Sequence, residues 1–295
     1  MNGNISRRNF IKTSSTAVIA GSLFPLSKTF SRIVEKKSRV VLVRNKNLFD
    51  ESNQPRPDIV RKMLDDAVTK LFDGKKPSDA WREIVKPSDM VGIKTNAWKF
   101  LSTPPQLESA LKWSVVHAGV PEENISVLDH GVLDDPIFKK ATALINVRPM
   151  RTHHWAGVGT LIKNYIQFVE KPSDYHDDSC ANLGAIWNLP HVKDKTRLNI
   201  LVMFTPLFYG VGPHNFNPEY TWRYNGLLIG LDPVAVDSVG MRIITAKRKE
   251  FFKEDRPINP SPKHIELADT RHGIGRADQN KIELLCIGWN DGRLI

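Results

Sequence analysis

The densest set of chemically capable side chains lies in the twenty residues Ile145–Asn164, where Arg148, Arg151, His153, His154, Lys163 and Asn164 fall together. Guanidinium and ammonium groups clamp negative charge, an imidazole moves a proton near neutral pH, and a carboxamide orients what is held. The apolar run Ala143–Val147 predicts a strand that ends near Val147, and an exposed turn would then carry both arginines and both histidines. A helix start after Gly157 and Gly159 would present free backbone N–H groups beside them, which is an anion-binding layout. Thr160 and Asn164, four apart, would share a face of that helix. Adjacent histidines in an extended turn point opposite ways, so one of the pair faces a given site and a joint His153–His154 metal site is not expected.

Two further segments offer partners. Val91–Lys94 reads as a strand that delivers Lys94 and Asn96 at its carboxyl end, where ligands bind in α/β sheets, with Trp98 as a binding wall or a core cover. In Leu227–Gly240, Asp232 followed by Pro233 is the expected cap of a helix, which explains Asp232 structurally while leaving it a candidate ligand contact. Asp237 lies five residues on, about 140° around an ideal helix, so the two carboxylates are not an acid/base pair. Set among Val236, Val239 and Met241, Asp237 needs a partner, and Lys94 or Lys163 is the expectation. The loop residues His176, Asp177, Asp178 and Cys180, and His214 after Gly210–Pro213, would add ligand types at the same edge or serve as solvated loop. Whether a metal is held is left open. No serine nucleophile elbow, Walker loop or H-E-x-x-H motif occurs, and Gly273-Ile-Gly275 lacks the third glycine of a dinucleotide fingerprint.

The net charge of +10 is unevenly spread. Eight basic residues face Glu35 alone in the first 40, so +7 falls there and +3 on the remaining chain. A body so near neutrality lacks the field that non-specific nucleic-acid binding needs, and no nucleic-acid partner is expected. The basic end has its own explanation. Ser6-Arg7-Arg8-Asn9-Phe10-Ile11-Lys12 precedes a short, weakly apolar run to Leu26 that is rich in Ser and Thr and resembles a twin-arginine signal. That signal implies a bacterial protein that engages the twin-arginine machinery and crosses to the periplasm or envelope already folded, with membrane contact through the signal segment alone. The route favours proteins loaded with a metal or organic cofactor in the cytoplasm. Cys180 and Cys286, the only cysteines, cannot supply a four-cysteine iron–sulfur cluster. They could pair, although Cys286 in the run Ile282–Ile287 reads as a buried thiol.

Positioning these residues requires a sheet. Apolar runs at Val40–Val43, Met90–Ile93, Ile125–Leu128, Ala143–Val147, Leu198–Phe204, Leu227–Leu231 and Ile282–Ile287 have strand length and composition. Helical patterns lie between them at Pro57–Phe72, Pro105–His117, about Gly157–Phe168 and Pro233 to about Lys247. The alternation predicts residues 1–38 as signal and linker and 39–295 as a single α/β domain, its mostly parallel or mixed sheet covered by helices on both faces.

Gly92-Ile-Lys-Thr-Asn96, the Pro149 to His153 turn, Lys163-Asn164, Gly210–Pro213 and Gly230–Asp237 together resemble, in order and spacing, the Domain of Unknown Function 362 family, from about Val40 to Gly275. Some members carry a ferredoxin-like module whose cysteines are missing here, so intrinsic electron transfer is not implied. Phe204-Thr205 stands where relatives tend to place an aspartate, and Arg151 where a lysine is common. The combined expectation is an exported enzyme for an anionic substrate or cofactor, of redox or isomerisation type. His153, Lys163 and Asp237 would be its catalytic groups, and Lys94, Asn96, Arg151, Asn164 and Asp232 would bind the ligand or cofactor. The alternative is a non-catalytic envelope protein that binds a small anion or docks on another protein.

Overall fold

A computed structural model describes residues 36–74, 76–210 and 216–295. The twin-arginine segment and His214 lie outside the described residues. The elements are β1 (Ser38–Arg44), α1 (Pro57–Leu71), α2 (Pro77–Ile84), β2 (Val91–Lys94), α3 (Pro105–His117), β3 (Ile125–Leu128) and α4 (Pro136–Lys139). They continue as β4 (Ala143–His153), β5 (Gly157–Gly159), α5 (Leu161–Asn164), the single turn α6 (Asp177–Cys180), β6 (Thr196–Leu207), β7 (Gly226–Gly230), α7 (Pro233–Phe252), α8 (His264–Thr270) and β8 (Ile282–Gly288). Proline at the first helical position opens α1, α2, α3 and α7, where a missing N–H costs no intrahelical bond.

The strands form one mixed sheet in the order β3-β2-β4-β6-β7-β1-β8, with β5 paired to β4 as a hairpin. Neighbours along that path are parallel except that β7 is antiparallel to both β6 and β1. The carboxyl ends of β2, β3, β4 and β6 therefore share one edge, and the segment that leaves β7 emerges at the other.

Period-two burial splits the strand side chains between two cores. Val41, Val43, Ile93, Ile145, Val147, Ile200 and Ile229 pack with α1, α2 and α3 on one face. Val40, Leu42, Leu144, Met150, Leu201 and Leu228 pack with α5, α7 and α8 on the other. The sheet is thus covered on both faces, as the alternation of patterns predicts, and residues 36–295 form one compact unit.

The structure corrects three local expectations. β4 does not end at Val147 but runs to His153, so Arg148, Arg151 and His153 are buried on a strand rather than exposed on a turn. Pro149 pairs with Val202 on β6 just before the β4–β6 register shifts between Pro149 and Arg151, an irregularity of the kind at which strand prolines are tolerated. The helix expected from Gly157 shrinks to Leu161–Asn164 with a short 3-10 turn after it. Gly157–Gly159 is the second arm of the hairpin, and Gly157 has φ +71° with the backbone oxygen of Pro260 filling the place of a Cβ. The two cysteines are free, with Cys180 buried and Cys286 half-buried rather than buried.

Candidate active site

The sheet edge at the carboxyl ends of β2 and β4 gathers most of the candidates. Lys94, fully buried at the end of β2, donates to the Thr95 carbonyl (2.8 Å) and to Asp129 Oδ1 (2.6 Å) just past β3. Burial lowers the Lys94 pKa to about 8 even though Asp129 favours its charged form. Burial works against ionisation of Asp129, yet Lys94 and the Ala97 N–H (2.8 Å) more than offset it and hold the carboxyl below its usual value. Lys94 is therefore half of an internal ion pair rather than a free ligand for an anion.

Arg151 donates from NH1 to Asn96 Oδ1 (2.8 Å) and lies over the Trp98 ring, 4.4 Å from its centroid. Asn96 thus orients Arg151 through its Oδ1. Trp98 is a wall for that guanidinium. Its own far side packs on Phe216 and Phe100.

Asn164 ties α5 to the sheet. Its Nδ2 donates to Asn146 Oδ1 (2.8 Å), the Val147 carbonyl (3.1 Å) and the Lys94 carbonyl (3.3 Å). Asn146 passes the network on to the Leu161 carbonyl and to Asn199. These bonds fix the short helix on which Lys163 stands.

Asp237 completes the support. Its carboxylate accepts from Thr160 Oγ1 (2.5 Å), Leu161 N (3.0 Å) and Ile162 N (2.9 Å), so it caps α5 from α7. The partner is not Lys94 or Lys163, as sequence spacing suggests, but the very N–H groups expected to hold an anion. Burial pushes the Asp237 pKa up to about 7, against those three donors and Arg148.

Asp232 is set apart from this cluster. It caps α7 through Ala235 N (3.0 Å), accepts from Ser38 Oγ (2.6 Å) and Arg276 N (2.9 Å), and follows β7, so it stands at the opposite edge of the sheet.

The remaining groups form an electropositive cluster. Lys163, 3% exposed, has the Cys180 thiol (3.6 Å) as its hydrogen-bond partner, and burial lowers its pKa to about 8, helped by Arg148 and Arg151. Arg148 is lowered to about 10 by burial, and Arg151 well below the usual guanidinium range by burial and then by Arg148. Among the described residues, none of Arg148, Arg151 and Lys163 has a carboxylate within 4.0 Å. The Nε atoms of both arginines are buried without a hydrogen-bond partner. Gly159 leaves Arg148 its space, since a Cβ there would come within 2.9 Å of the guanidinium.

His153 faces the same cations. Burial holds its pKa far below the usual imidazole range, followed by Lys163, Arg148, Arg151 and His154, so the ring is neutral. Its Nδ1 accepts from Trp155 N (3.2 Å), which leaves the proton on Nε2. The two histidine rings do not diverge as expected: they stack at 4.8 Å and 14° where the hairpin turns, and Trp155 packs between His154 and His176.

Sequence reasoning missed two participants. Asp129 follows an apolar strand as Lys94 does, a signal that was available in Leu128-Asp129. His264, fully buried on α8 with both ring nitrogens unpartnered, is lowered to about 3 by burial, then by Lys163 and Arg148. Nothing around Lys263-His264-Ile265 in the sequence marks it. Among the described residues no group of three His, Cys, Asp or Glu side chains is arranged to hold a metal ion. A cavity of about 600 Å³ borders the hairpin at Thr152 and Gly157, walled by Tyr209, Tyr220 and Arg248, but does not reach the buried cations.

The family model described as Domain of unknown function (DUF362) matches residues 120–242. This supports the resemblance over β3 to the first half of α7, a span that holds Asp129, Arg148, Arg151, His153, Lys163, Asn164, Asp232 and Asp237, with Lys94 and Asn96 before it. Comparison with curated proteins and with solved structures gave no significant match.

Proposed function

We propose that the protein is an exported enzyme that binds a small organic anion at the carboxyl edge of β2 and β4 and carries out proton-transfer chemistry on it, of which isomerisation is the simplest case. One observation carries this reading: Arg148, Arg151 and Lys163 are buried near one another with no carboxylate within 4.0 Å among the described residues, and the carboxylates that act on the arginines from further off, Asp129 and Asp237, are already bonded to Lys94 and to the α5 N–H groups. Buried charge without a counter-ion is costly, and proteins keep it where a ligand supplies the missing charge. Lys94 provides the internal contrast, because its charge is answered by Asp129 at 2.6 Å.

Chemistry beyond holding is supported by the company these cations keep. Lys163, with a pKa near 8, is a group able to give and take a proton near neutral pH, and the neutral His153 ring, with its proton on Nε2, can donate to a bound oxygen. In this reading Arg148 and Arg151 clamp the anion, Lys163 moves the proton, His153 donates from Nε2 without taking charge, and Asn96, Asn164 and Asp237 hold those four in place. Export rests on the Arg7-Arg8 segment, and retention of an Arg7→Lys, Arg8→Lys variant in the cytoplasm would support it, whereas unaltered delivery to the envelope would not.

The test is a thermal-shift and calorimetric screen with phosphate, sulfate, pyruvate and citrate in an otherwise weakly binding buffer. Stabilisation by at least one of them in the wild type, lost in Arg148→Met, is the expected result. Equal response of wild type and variant to every anion would overturn the reading.

A further inference from the structure

Two lysines are buried at this edge, and their surroundings differ. Lys94 Nζ donates to Asp129 at 2.6 Å and to the Thr95 carbonyl, so it is held as an ammonium with no free electron pair and its charge is answered. Lys163 Nζ has a thiol at 3.6 Å, cations for neighbours and no carboxylate among the described residues. An amine desolvated beside other cations loses its proton readily and becomes a nucleophile at neutral pH. Arg148 and Arg151 both lie against Gly159, four residues before Lys163, and their guanidinium groups match the two oxygens of a carboxylate or phosphate, while His153, with its proton on Nε2, pairs with Gly157 on the same hairpin.

We infer that Lys163 forms an imine with an anionic carbonyl compound whose carboxylate or phosphate is held by Arg148 and Arg151. The inference rests on the anion reading above and names the substrate class of that same site. The neutral Lys163 amine adds its electron pair to the carbonyl carbon, making the C–N bond, while the carbonyl π pair moves to oxygen. The nitrogen's surplus proton passes to that oxygen through the neutral His153 ring, which gives its Nε2 proton as it receives the other and so stays uncharged. The nitrogen's remaining proton follows by the same route, the C–O bond breaks, and both amine protons leave with the oxygen as water as C=N forms. No oxidant or reductant enters. The resulting imine acidifies the adjacent C–H, which is the chemistry an isomerase acting on a carbonyl compound requires.

Three features distinguish Lys163 from a generally reactive surface lysine. It sits on α5, a four-residue helix with its start capped by Asp237 and its end bracketed by Asn164, so the amine has a fixed origin. The Arg148 guanidinium lies against Gly159, two residues before α5, where a Cβ would come within 2.9 Å of it. The Cys180 thiol next to Nζ belongs to a turn in which Asp178, Ser179 and Cys180 all have positive φ, 50°, 57° and 63°. Three consecutive non-glycine residues in this region are unfavourable unless the surroundings impose them, and here they deliver the thiol to the amine.

The experiment is reductive trapping on the full chain. Protein is incubated with pyruvate as the carboxylate probe, or glycolaldehyde phosphate as the phosphate probe, then with sodium borohydride, and the adduct is located by peptide mass mapping. One equivalent of reduced adduct on Lys163 is expected with at least one probe, and the better probe identifies which anion the clamp takes. Arg151→Met should lower trapping at least tenfold, and Lys163→Arg should abolish it while still binding inorganic phosphate. Adduct on Lys94 or on exposed lysines only, or none at all while phosphate still stabilises the wild type, would overturn the imine and leave the anion site standing. Absence of both trapping and phosphate binding would overturn both. Mapping on the wild type decides the matter even if a variant fails to fold.

Discussion

Replacing each buried lysine by methionine should have opposite consequences. In Lys94→Met, Asp129 loses the partner that holds its carboxyl ionised, while its side chain remains only 7% exposed. Breaking a buried pair from one side costs roughly 3–5 kcal/mol, and relief of the Lys94 desolvation returns part of it, so a net loss of about 3 kcal/mol is expected. At about 2–4 °C per kcal/mol for a domain of this size, Tm should fall by roughly 6–12 °C. In Lys163→Met no carboxylate is stranded. The Lys163 pKa is depressed from 10.5 to about 8, so the unfolded chain binds its proton more tightly, and below pH 8 the folded state carries a deficit of up to ~3 kcal/mol. Methionine removes that deficit and fills the volume. Tm of the ligand-free protein at pH 7 should therefore stay level or rise, and anion binding should vanish. Calorimetric unfolding of both variants in an anion-poor buffer reads both effects. A Lys163→Met protein as unstable as Lys94→Met, with anion binding intact, would make Lys163 a structural partner rather than a group that meets the anion.

Asp237→Asn tests the cap. One oxygen that accepts from the α5 N–H groups becomes an NH₂ that faces them, so about 3 kcal/mol of stability should be lost, with anion affinity falling only as α5 loosens; unchanged Tm with binding abolished would instead put Asp237 in contact with the ligand. Anion affinity should be level from pH 6 to 7 and fall as pH rises through about 8, where Lys163 gives up its proton, and titration calorimetry across that range would expose a flat profile if Lys163 takes no part. The raised Asp237 pKa works the other way on stability. Its contribution is fully present below pH 4 and is lost as pH rises towards 7, so the difference in Tm between wild type and Asp237→Asn should narrow between pH 5 and 7.

Local punctuation made much of the fold legible. Pro105 and Gly119 bracket α3, the paired apolar positions Val60, Met63, Leu64, Ala67 and Val68 define the buried stripe of α1, and Asp232-Pro233 marks the start of α7. Ile125–Leu128 is a strand at the expected bounds. Where the expectation failed, a long-range partner decided. Pro149 and the polar residues after it read as a turn, but β6 and β5 on either side of β4 keep the backbone extended to His153. The residue types at the site were visible, and Arg151, His153, Lys163 and Asn164 do converge. Their roles were not visible, because roles follow from partners. Asp237 became a cap through Thr160, 77 residues away, and Lys94 an ion pair through Asp129, 35 residues away. Asp232 left the cluster because β7 runs against its neighbours, a property of sheet topology that no spacing encodes.

Arg148, Arg151 and Lys163 together call for an external negative charge. A crystal structure of the protein soaked with phosphate or pyruvate tests this directly. Ligand density bounded by these three side chains and by His153, with the arginine Nε atoms now engaged, is the expected result. Density confined to the cavity beside Tyr209 and Arg248, with the three cations unchanged around an empty centre, would contradict it.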